Sequence, residues 1–156
     1  MNRQQGKKKS RDSAYERALA LLARREHSRK DLASKLERKG FDRDEIREAL
    51  QQLIEAGYQS DQRFAEMLVR SRVAHAYGPV RIRAELRSHG LDDSLVESAL
   101  AEVDQDTDWA ELANDLLQRH YGEQAASDYA ERGKRAQFLV RRGFPAEIAH
   151  QASQLD

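Results

Sequence analysis

"LRSHGLDDSLVESAL", residues 86–100, decides how the chain is read. A leucine stands four residues before a glycine, an apolar residue follows the glycine, and an alanine comes eight residues later. The same frame recurs as "LERKGFDRDEIREAL" at 36–50 and as "LVRRGFPAEIAHQAS" at 139–153. Gly40, Gly90 and Gly143 are therefore 50 and 53 residues apart. Self-similarity at such a period marks a repeat architecture, and the length suits a unit of three short helices. A unit of about 45 residues is too small to bury a sufficient core alone, so the repeats are expected to support one another.

Local signals agree with helices. Tyr15, Ala18, Leu19 and Leu22 follow helical spacing, as do Ala65, Leu68, Val69, Val73 and Ala76, and Trp109, Leu112, Ala113 and Leu116. "SAYE" at 13–16 and "DRDE" at 42–45 read as capping boxes. Gly40, Gly90 and Gly143 stand where a helix ends in a left-handed residue, and Pro79 suits a first turn, where its missing N–H costs nothing. No strand alternation is evident. The expected fold class is all-α: an elongated array of three tandem three-helix, helix-turn-helix-like repeats at 13–58, 59–104 and 105–156, behind a basic disordered tail at 1–12. Trp109, Tyr121, Phe64, Leu68, Ile82 and Leu86 are expected in the core. Gly133 interrupts the expected middle helix of the third repeat, at about 1 kcal/mol against alanine.

Composition narrows the chemistry. The 156 residues carry 27 basic and 27 acidic side chains, so no net charge draws the chain to nucleic acid or membrane. There is no cysteine, which excludes disulfides and thiolate metal sites. The five histidines lack metal-ligand spacing, and neither a phosphate loop nor a nucleophile elbow is present. No apolar run reaches the length of a membrane helix. The expectation is a soluble, cytoplasmic binding protein without cofactor or catalytic residues. The lack of a long exposed apolar seam points to a monomer.

The charge distribution is more informative than its sum. Residues 28–40, 78–90 and 131–143 carry net charges of +3, +2 and +4, whereas 41–56, 91–104 and 144–156 carry −3, −5 and −2. Two readings stand. Acids in first turns and bases in last turns complement helix dipoles, and oppositely charged neighbours attract. Alternatively, the basic middle helices form a positive stripe. Arg70, Arg72, Arg81, Arg83 and Arg87, then Lys134, Arg135, Arg141 and Arg142, are the candidate contacts. Tyr77, before Gly78 and Pro79, either packs in the turn or presents its ring to a partner. The stretch at residues 2–11, with five bases and no acid, reads as a solubility tail or a loose tether to phosphates.

"SDQRFAEMLVRSR" at 60–72, followed by "YGPVRIRAELRSHG" at 77–90, resembles the central repeat of the RecX regulators of bacterial RecA recombinase. The likeness extends through the first repeat and more loosely through the third, over roughly residues 13–153. It implies an elongated helical protein of three tandem three-helix units. Such a protein binds RecA nucleoprotein filaments and suppresses filament growth, ATP hydrolysis, strand exchange and the co-protease activity behind the SOS response. Weak, non-specific binding of single- or double-stranded DNA is implied too. The competing reading is a stand-alone helix-turn-helix DNA-binding protein; acidic last helices, which phosphates would repel, argue against it. A third is a scaffold with no nucleoprotein role.

Overall fold

A computed structural model of the chain describes residues 12–154; the basic tail expected at 1–12 lies, apart from Asp12, outside the described residues. Among the described residues there are nine helices and no strand. The first triplet is α1 (Ala14–Arg24), α2 (Arg29–Arg38) and α3 (Arg43–Glu55). The second is α4 (Asp61–Ala74), α5 (Pro79–Ser88) and α6 (Asp93–Asp106), and the third α7 (Trp109–Tyr121), α8 (Tyr129–Arg141) and α9 (Ala146–Ser153). The described residues fall into two compact units, divided between Ser60 and Asp61. None of the described helices is long and apolar enough to cross a membrane.

The helix starts explain themselves locally. Ser13 Oγ accepts the Glu16 N–H at 3.1 Å and Ser28 Oγ accepts that of Asp31 at 3.1 Å. Asp108 and Asp128 do the same for Glu111 and Glu131 at 3.0 and 2.8 Å. Each satisfies a donor that the first turn would leave orphaned. The capping box expected at 42–45 does not form: Asp42 makes no side-chain cap bond. Glu45 Oε1 instead accepts the Ala14 N–H at 3.1 Å, because the packing of α1 on α3 brings the first backbone N–H of α1 within reach. Gly40, Gly90 and Gly143 have φ of +86°, +74° and +95°, the left-handed helix ends expected of them. Ala76 departs from expectation: it lies beyond α4, buried, with φ +57°. It takes part in the turn toward Pro79 rather than in the helical stripe.

Each triplet buries its own core. In the first, Ala14 and Ala18 meet Leu32 and Leu36 of α2 and Ile46, Leu50 and Leu53 of α3. Phe64, Leu68, Ile82, Leu86, Val96 and Leu100 make the second, and Leu117, Leu139 and Phe144 anchor the third. Trp109 packs against both the second and third cores, and Tyr121 only against the third. Gly133 does not break α8, which runs on to Arg141. Beyond its chain neighbours and the backbone of its own helix, no described atom lies within 4 Å of where its Cβ would be.

One polar group is sunk beneath the α1–α2 corner. His27 is 3 % exposed; its Nδ1–H donates to the Arg25 carbonyl at 3.0 Å and its Nε2 accepts from Lys35 at 2.9 Å. Burial, with Lys35 and Arg25 nearby, holds its pKa below the ordinary 6.5 despite the Arg25 carbonyl, which acts in the opposite sense. As the pH falls below about 6.5 the unfolded chain takes up a proton here that the folded chain resists, so the first unit loses stability on acidification. Urea titrations at pH 7.5 and 5.5 should show a drop in midpoint that His27→Gln reduces. An equal drop in both proteins would exclude His27 as the titrating group.

Candidate functional site: the arginine–tyrosine junction

Within the second unit, the turn before α5 and the turn after α8 are joined through their backbones. The Gly78 N–H donates to the Arg142 carbonyl at 2.8 Å and the Val80 N–H to the Gly143 carbonyl at 2.9 Å. With Pro79 at the first helical position carrying no N–H, the start of α5 is satisfied by the third repeat instead of by a side-chain cap. The approach requires two glycines. A Cβ on Gly78 would lie 2.3 Å from the Gly143 carbonyl oxygen, and one on Gly143 would lie 2.3 Å from the Arg81 Cβ.

Side chains gather on this seam. The Tyr77 ring has the Arg142 guanidinium 3.8 Å from its centroid and the Arg81 guanidinium at 4.1 Å, a double cation–π arrangement. Arg142 also donates to the His75 carbonyl. Arg81 donates to Glu85 Oε1 at 3.0 Å while Arg72 donates to Glu85 Oε2. Burial alone would raise the Glu85 carboxyl, but the hydrogen bonds from Arg72 and Arg81 outweigh it and hold the group below its ordinary 4.5. Two guanidiniums, those of Arg72 and Arg81, thus share one carboxylate while that of Arg142 lies on the Tyr77 ring, leaving a positive ledge fixed by packing and by the two backbone bonds.

The remaining candidates divide by what they already hold. Arg83 reaches Glu97 at 3.3 Å, and Arg87 approaches Glu97 and Asp93 at 3.8 and 3.9 Å. These four side chains are 47 to 87 % exposed, so the pairs add little stability, but α6 offsets much of the positive charge of α5. Arg135, 9 % exposed, is held by the Gln124 carbonyl at 3.1 Å, by Glu131 at 3.1 Å and by the Tyr121 ring at 4.8 Å. Two hydrogen bonds from Ser127, with help from Arg135, pull the Glu131 pKa down to about 2. The side chains of Arg70, Lys134 and Arg141 are exposed and make no hydrogen bond or ion pair among the described residues. Lys134 and Arg141, seven residues apart on α8, share a face. The structure therefore brings together Arg72, Tyr77, Arg81 and Arg142, and sets Arg70 apart on α4. The pairing of Arg81 with Glu85 four residues on was legible as helix spacing; the parts of Gly78, Gly143 and His75 carry no local signal. Among the described residues no group of three or more histidine and carboxylate side chains could hold a metal ion.

Known proteins show the same organisation. Residues 14–53, 60–100 and 106–152 match, in order, the first, second and third three-helix domains of RecX. A Regulatory protein RecX of Xanthomonas axonopodis pv. citri (strain 306) is 43% identical over 151 residues, covering 97% of this chain and 92% of its own. One from Stenotrophomonas maltophilia (strain R551-3) is 45% identical over 141 residues, covering 90% and 85%. The crystal structure of RecX from Lactobacillus salivarius superposes with a TM-score of 0.74 at 29% identity, covering 92% of this chain and 94% of that one. Three helix triplets matched domain by domain, and relatives aligned along nearly their whole length, establish that the chain belongs to the RecX family of regulatory proteins.

Proposed function

We propose that this chain binds RecA nucleoprotein filaments and inhibits the recombinase, ATPase and co-protease activities of RecA, thereby modulating recombinational DNA repair and the SOS response. The observation that carries the reading is the domain-by-domain match to the RecX regulators along the chain. The positive ledge at the second and third repeats supports it physically. Contacts spread over several helices gain from multivalency when the partner is itself a repeating polymer. In this reading Arg72, Arg81 and Arg142 set the ledge, Tyr77 holds two of them in place, and the exposed Lys134 and Arg141 of α8 meet acidic filament surface or phosphates. Affinity for naked single- or double-stranded DNA is then weak, non-specific and strongly salt-dependent.

The test is the DNA-dependent ATPase of the cognate RecA, titrated with this protein far below RecA's own concentration. Inhibition at such ratios is expected, and none at any ratio with folded protein would remove the reading. Lys134→Glu combined with Arg141→Glu should weaken filament binding by about tenfold or more, since each reversal loses an attraction and adds a repulsion. Arg83→Glu with Arg87→Glu should cost less, because Glu97 and Asp93 already offset those charges. The opposite ranking would place the main contact on α5.

A further inference from the structure

Away from the ledge, α4 and α6 leave an open groove of about 620 Å³ between them. Its floor is apolar, made by Val69 and Val73 of α4 and Ala99 and Val103 of α6. Glu66, Glu102 and Asp106 line its edges, with Arg70 the one base beside them. The side chains of Glu102 and Asp106 are exposed and make no hydrogen bond or ion pair among the described residues. The last turn of α6 contains no base, and acids at that end oppose the helix dipole. The fold therefore keeps negative charge beside an apolar floor where its own helix disfavours it. The groove runs on into a smaller depression that shares Glu66, Ala99 and Glu102 and is flanked by Ser94 and Ser98. Small side chains there let another backbone come close. Two helices of 14 residues give it a length of about 20 Å, near four turns of a third helix.

We propose that the α4–α6 groove is a docking site for a basic amphipathic helix of a partner protein, its apolar stripe on Val73, Ala99 and Val103 and its lysines or arginines against Glu66, Glu102 and Asp106. This is helix-in-groove recognition, with the charges fixing orientation and the floor supplying affinity. Charge complementarity selects the occupant: an acidic helix would face three carboxylates across one arginine. The site lies on α4 and α6 and does not depend on the role of the ledge, so the two readings stand or fall separately.

The probe is a synthetic helical peptide of about 18 residues, with leucine and alanine at i, i+3, i+4 and i+7 positions and lysine elsewhere. Added to the full-length protein labelled with ¹⁵N, it should shift amide resonances concentrated at Val73, Ala99 and Val103. The double variant Glu102→Lys, Asp106→Lys, confined to exposed side chains, should weaken binding roughly tenfold with the spectrum otherwise unchanged. The same peptide with glutamate for lysine should not bind. Shifts spread elsewhere, equal binding of the glutamate peptide, or an unchanged affinity in the double variant would each overturn the proposal. So would concentration-dependent association of the protein alone that perturbs the same amides, which would assign the groove to a second copy of the chain.

Discussion

Gly143→Ala is expected to lower the stability of the second unit by about 2–4 kcal/mol, although it adds only a methyl group. Two effects combine. At φ +95° any side chain strains the backbone, at about 1 kcal/mol. The new Cβ must also displace Arg81, whose own Cβ would be 2.3 Å away, and overpacking of that kind typically costs about 1–3 kcal/mol. Gly78→Ala separates the contributions. Gly78 has an ordinary φ of −84°, so only the collision with the Gly143 carbonyl remains. Thermal unfolding checks the ranking: a domain of this size loses about 4–8 °C per kcal/mol, so Gly143→Ala should melt well below the parent. Melting within about 2 °C of the parent would mean that the seam yields freely, and the ledge could not then be rigid.

Phe144→Ala should cost about 3–5 kcal/mol, the usual range for emptying a large buried aromatic site. Phe144 is 2 % exposed, and among the described residues its core is the smallest of the three. Among the described residues, five buried ones compose that core against ten in the second and eight in the first, and two of the five are alanines. With whole domains stable by only about 5–15 kcal/mol, the loss is a large share of what holds α7, α8 and α9. Hydrogen exchange should show those helices opening first, with α4 to α6 retaining more protection. Phe144→Leu should recover much of the loss by filling part of the cavity. A loss under about 1 kcal/mol in the alanine variant would show that neighbouring side chains collapse into the space.

The helices, their turns and their cores were legible because the deciding interactions are local. Leu36, Leu86 and Leu139 sit one turn before a glycine that ends their helix, and all three are fully buried. Ser13 caps its own first turn for the same reason of proximity. Legibility stops where a partner lies far along the chain. Nothing near Asp42 shows that the cap bond fails there, or that Glu45 serves a helix 31 residues earlier. Tyr77 could be read as packed or outward, and the arginines that decide it are four and 65 residues away. The basic candidates read as one stripe because sequence counts charge by segment. Whether an arginine is neutralised depends on which helix folds beside it: Glu97 meets Arg83 from 14 residues away, while Lys134 and Arg141 meet no carboxylate among the described residues.

Trp109 is the chain's single tryptophan, and it packs against the second and third cores, its indole N–H donating to Asp104 at 2.8 Å. Nature has thus placed an intrinsic fluorophore at the joint between two repeats. Its emission responds to separation of those repeats, while the first sixty residues, holding tyrosines but no tryptophan, are silent at the same wavelength. A red shift on engaging a partner therefore reports opening of that joint, and a constant spectrum reports that the second and third repeats engage as one body.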